Sequence, residues 1–343
     1  AFTWLRSGST SEERVDALRT LLLDEHDVMV GTALLVCLQR EAHTSPDAVD
    51  SLLAELDDRR GVDDGFSETR DDCVEAEPAD DERAAKERDK LAVNITTFLG
   101  LHHEAPYSSS ALKEWADAAP VSKELSHAIS FIRDYFAPGA EIGVQKRAFE
   151  FATAGCTSAL ACLDEMSAAL TGKTEATPDE IASLKRAYNV LDTTASQIYF
   201  SSGAYDRKST AVEDGTTQHA PATAELARLA DLAIPLLLLC ASSKAAPVIH
   251  HVVETLVFLS RVDERRGLQA LADAVAANDG YAYDSLAAGV VIPHLTRLLA
   301  EERNLVLYDE QGVTAFRKLL SAFAGAGNEK ALVLAFTFSD VFR

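Results

Sequence analysis

Apolar residues in this chain recur three and four positions apart along most of its length, and nowhere alternate in twos for long. Val15, Leu18 and Leu22 follow that spacing near the start, and Val291, Leu295, Leu298 and Leu299 follow it near the end. Such periodicity places one apolar face along a helix. Ten prolines and seventeen glycines in 343 residues are too few to punctuate an all-β chain of this length. An all-α fold is therefore expected, with long Ala/Leu-rich runs that favour helix.

Breaks in the pattern divide the chain into 1–56, 57–90, 91–200, 201–222 and 223–343. The first segment reads as three helices. One is capped at Ser11, one runs from Val28 to Leu38 and is apolar nearly all round, and one begins at Ser45-Pro46. A helix apolar on all sides must be covered on several of them. Residues 57–90 carry fourteen acids and seven bases with few large apolar side chains, and read as a flexible acidic loop. Residues 91–200 read as paired helices, with divisions at Pro120 and Gly155 and a strong start at Thr177-Pro178. Residues 201–222, rich in Ser, Thr, Gly and Asp, read as a second loop.

The last segment holds a recurring arrangement. "LADLAIPLLLLC" sets Ile234-Pro235 before leucines, "GVVIPHLTRLL" sets Ile292-Pro293 before Leu295, Leu298 and Leu299, and Gly312-Val313 precedes Phe316, Leu319 and Leu320. Gly289 reads as a turn and Pro293 as the first turn of a new helix. This arrangement resembles the armadillo/HEAT type of helical repeat, most clearly over 223–325. The resemblance implies an α-solenoid, with the helices after Pro235, Pro293 and Gly312 side by side along one concave wall. The alternative is an irregular helical bundle. In the solenoid reading, His294, Arg297 and Glu301 form a polar stripe opposite the leucines and face a protein partner, so reversal of Arg297 leaves folding untouched. The tryptophan and asparagine array of importin-type members is absent, since no tryptophan stands in the turn before Asn94.

A formal net charge of −22 disfavours nucleic acid and anionic membrane and suits partners with basic segments. The longest apolar run, 232–241, is too short to insert across a bilayer. Five cysteines, odd in number and irregularly spaced, form no C-x-x-C and point to a reducing, cytoplasmic setting. The chain opens without methionine and stops in mid-pattern, and reads as a piece of something longer.

Catalytic signatures are missing. Gly172-Lys173-Thr174 resembles the tail of a phosphate-binding loop, but position 167 is serine where that loop needs glycine. His250 and Glu254 share a helix face, without an identifiable third metal ligand. No catalytic residue, cofactor or metal is expected. The sequence is read as a non-catalytic protein-binding scaffold, adaptor or assembly factor. Alternatives are a myosin-directed chaperone of the UCS type, which Val252–Arg266 resembles, and a structural subunit of a large complex.

Overall fold

The computed structural model describes residues 9–25, 27–63, 80–171, 175–205, 224–243 and 245–341. Sixteen α-helices and no strand occur among the described residues. The chain divides into two compact units, 1–115 with 123–131 and 116–122 with 132–343.

The first unit contains α1 (Ser11–Asp24), α2 (Val28–Glu41), α3 (Pro46–Asp63), α4 (Asp80–Phe98), the start of α5 (Pro106–Asp117) and α6 (Lys123–Phe131). Alternate helices are neighbours: α1 packs on α3, α2 on α4, and α4 on α6. Val15, Leu18, Leu38, Val49, Leu52, Ile95 and Leu99 form the shared core. Thr10, not Ser11, caps α1, exchanging bonds with Glu13 in a capping box. The stretch read as a flexible loop over 57–90 is helical at both ends, since α3 reaches Asp63 and α4 begins at Asp80. In α4, Glu82, Arg83, Lys86, Glu87 and Arg88 favour helix, and Ala84 is buried among them. Positions 64–79 lie outside the described residues. The second helix also departs from expectation, because Met29, Val30 and Val36 remain exposed on α2.

Two polar ties fasten this unit. Arg14 grips Glu41 with both ends of its guanidinium at 2.8 Å, and the Ser11 hydroxyl adds a bond of 2.6 Å. Arg14, aided by Ser11, holds the Glu41 carboxyl below the usual carboxylate range despite its partial burial. Asp50, almost fully buried, accepts the backbone N–H groups of Tyr107 and Ser108, both at 2.9 Å. These are donors that the first turn of α5 leaves without helical partners.

In the second unit a short tight helix, 132–136, leads to α7 (Ile142–Leu170) and α8 (Pro178–Ser201). Then follow α9 (Ala224–Cys240), α10 (Ala246–Leu259), α11 (Glu264–Ala277), α12 (Gly280–Tyr283), α13 (Ser285–Glu301), α14 (Arg303–Leu307), α15 (Glu310–Gly325) and α16 (Glu329–Val341). The helices stack in two rows. Row A runs α7, α9, α11, α15, each packed on the next; row B runs α8, α10, α13, α16. Helices α7 and α8, α9 and α10, and α15 and α16 pack directly as row-A/row-B pairs, and α12 bridges α11 to α13. Gly155 does not divide α7, which is one helix of 29 residues with Gly155 buried inside it. At the starts of α11 and α15, Gly267 and Gly312 leave no room for a Cβ, against Ser260 and the Leu305 carbonyl respectively. Asp263 and Asp309 cap these two helices through their side chains.

The prolines correct the sequence reading. Pro235 and Pro293 lie inside α9 and α13 rather than at helix starts, and Gly289 is likewise helical. Both prolines are exposed, as are Asp231 and Gly289 four residues before them. On that side water can reach the carbonyl left without an N–H donor, and the proline ring meets solvent instead of a neighbouring helix. The expected adjacency also fails: α9 and α15 belong to row A with α11 between them, whereas α13 belongs to row B. Three equivalent helices along one wall are therefore not what the chain forms; alternating helical pairs are.

Candidate protein-binding surface

The leucine face of α13 is as expected, with Val291, Leu295 and Leu298 fully buried. The polar stripe is not. Residues 289, 293, 296 and 300 form the exposed stripe of α13, one position away from the predicted one. His294 is only 5 % exposed, because the buried arc widens to include Ile292 and His294 beside the leucines.

Glu264, at the first turn of α11, explains where the predicted residues point. Arg297 donates to Glu264 at 2.5 Å and to Glu301 at 3.3 Å. His294 Nδ1 lies 3.5 Å from the Arg297 guanidinium, and its Nε2 lies 3.9 Å from Glu264 Oε2. Burial, reinforced by the positive charge of Arg297, pushes the His294 imidazole down to about 3. It is thus neutral at pH 7. Burial pulls the Arg297 guanidinium down, but the bonds to Glu264 and Glu301 outweigh it and hold the group above its ordinary value. Arg297 fastens α13 to α11 through Glu264, and of His294, Arg297 and Glu301 only Glu301 is mostly in water.

Sequence reasoning missed a second cluster, between α8 and α10. Tyr199, 3 % exposed, donates its hydroxyl to Glu254 at 3.1 Å, and the His251 ring stacks on it at 5.0 Å. Phe200 and Tyr205 complete the cluster, with Arg133 over the Phe200 ring. Burial, with the adjacent Glu254, pushes the Tyr199 phenol up to about 12. His250 Nε2 lies 3.8 Å from Glu254 Oε1, and no group of three metal-ligating side chains occurs among the described residues. The signal was present as "QIYF" and "IHHVVE", but only same-row stacking brings the two segments together. Gly172, Lys173 and Thr174 lie outside the described residues.

The large apolar side chains left in water are unevenly shared between the rows. Row B exposes Ile181 and Tyr188 on α8, Leu286 on α13, and Leu332, Val333 and Phe336 on α16. Row A exposes Ile142 alone among the described residues, at the first turn of α7. Ile181 and Tyr188 are two helical turns apart and so share a face, as do Leu332 and Phe336 one turn apart. Phe336 is 74 % exposed and Val333 67 %. Row B thus presents apolar contact groups, while row A is closed by small and polar residues. No helix among the described residues is long and apolar enough to cross a membrane. Compared with protein-family models, curated proteins and solved structures, the chain matches none.

Proposed function

We propose that the chain is a non-catalytic protein-binding array of stacked helical pairs, acting as a scaffold, adaptor or assembly factor. The uneven exposure of large apolar residues on row B carries this reading, since such groups are the anchors of protein interfaces. The helices repeat in twos, so the arrangement is nearer to the HEAT form of the repeat than to the three-helix armadillo form. Stacked repeats offer an extended surface in place of a single pocket. A chain of net charge −22 favours partners whose apolar anchors are flanked by basic residues.

Photo-crosslinking tests the reading. A benzophenone side chain at Tyr188 or Phe336 should capture the same protein from lysate of the source cells, whereas one at Ile142 should not. The double variant Tyr188→Ser, Phe336→Ser should lose that protein in a pull-down while keeping its helical circular dichroism. Equal capture from both rows, or none from either, defeats the proposal.

A further inference from the structure

Cys156 and Cys240 stand 84 positions apart, yet their sulfurs lie 4.0 Å apart where α7 packs on α9. Irregular spacing in the sequence gave no hint of this pair. Both side chains are wholly buried. A chain of hydrogen bonds runs through them. The Thr194 hydroxyl donates to the Val190 carbonyl at 2.8 Å, and the Cys156 thiol donates to the Thr194 oxygen at 3.4 Å. The Cys156 sulfur is then left to accept the Cys240 thiol. That bond, together with burial, pushes the Cys240 thiol well above its usual range.

We propose that Cys156 and Cys240 are an intramolecular redox pair that closes to a disulfide on reaction with hydrogen peroxide, fastening α7 to α9. One sulfur, as thiolate, attacks a peroxide oxygen; the O–O bond breaks, leaving a sulfenic acid and releasing water. The second sulfur attacks the sulfenic sulfur, the S–O bond breaks, and a second water leaves. Two thiols and one peroxide thus give one disulfide and two waters. The sulfurs must close from 4.0 Å to a bond of about 2.05 Å.

The oxidised form suits the same core. A disulfide is neutral and apolar, so no charge is buried. Only the two thiol donors vanish, and the Thr194 hydroxyl keeps its bond to Val190, so no buried donor is orphaned. Burial also sets the rate. Wholly buried, protonated thiols are poor nucleophiles, so the reaction waits on a transient parting of α7 and α9. Cys37, which is partly exposed, needs no such parting.

The test treats the full chain with hydrogen peroxide, blocks the remaining thiols with iodoacetamide, and maps the unreduced peptides by mass spectrometry. One cross-linked peptide joining positions 156 and 240 is expected, within one chain and not between two, forming more slowly than the Cys37 thiol disappears. Urea just below the unfolding transition should speed it. The oxidised protein should unfold at higher urea than the reduced one, and Cys156→Ala should show no such difference. The idea is overturned if both thiols survive in that urea while Cys37 reacts, if the cross-links join other cysteines, or if oxidation lowers the unfolding midpoint. The map of the unaltered chain decides the matter even where the variant folds poorly.

Discussion

Helices α9 and α13 carry nearly the same words, Ile-Pro followed by leucines, and the molecule uses them differently. In α9 the arginine Arg228 reaches along its own row, to the Gln145 side chain on α7 at 2.7 Å and to the carbonyls of Pro138 and Ala140. In α13 the arginine Arg297 reaches across rows, to Glu264 on α11. What the two share is the position of the proline on the water side. What separates them is which row the connecting turns assign. Local sequence thus sets where a helix tolerates proline, whereas chain order sets its neighbours.

Emptying the two cores tests the shared part most severely. Leu236→Ala in α9 and Leu295→Ala in α13 each remove a fully buried side chain and should each cost about 2–5 kcal/mol in urea unfolding. A near-zero cost at either site would show that the two leucine runs are not equivalently packed. Next in size, Arg297→Glu should cost about 1–3 kcal/mol by setting a third carboxylate beside Glu264 and Glu301. Adding Glu264→Arg should recover part of that loss. If the double variant is no better than the single one, the cross-row tie is not what Arg297 provides.

Acid should distinguish the helices further, because α13 alone of the two carries a buried histidine. Unfolded, His294 takes up a proton near its ordinary value of 6.5; folded, it stays neutral down to about 3. Its contribution to stability is therefore intact above pH 6.5 and is lost as the pH falls below it. The slope for one such proton is about 1.4 kcal/mol per pH unit. His294→Asn should flatten the fall in stability between pH 6 and 5, measured by urea titration at each pH; an unchanged slope would place the proton uptake elsewhere. The smallest effect is expected on α9. Asp231 pairs with Arg266 in a largely exposed bridge, so Asp231→Ala should cost under about 1 kcal/mol.

The all-helical fold was legible because periodicity reports which side of a helix is buried. Thr177 with Pro178 and Glu180 marked the start of α8 correctly, since a capping box is local chemistry. His294 was misread for a physical reason. A helical wheel assigns polar residues to water, but a histidine beside Arg297 and Glu264 can be buried neutral, and Glu264 is thirty positions away. The prolines were misread because helix starts are their commonest helical site, and only the rows reveal that these two face outward. The Tyr199 cluster and the cysteine pair were invisible for the same reason: each joins helices that are neighbours in a row and not in the chain.

Gly267 and Gly312 carry a consequence for how this chain tolerates change. Each follows a capping aspartate by three or four residues, and each lets the first turn of a row-A helix rest directly on the segment before it. A saturation library scored for folding should therefore show two nearly silent columns, at 267 and 312, where even alanine is scarce. The neighbouring exposed positions 265 and 311 should accept far more residues. Asp-Glu followed by one or two free positions and an obligatory glycine is thus a spelling rule for opening a repeat, and one by which distant copies could be recognised.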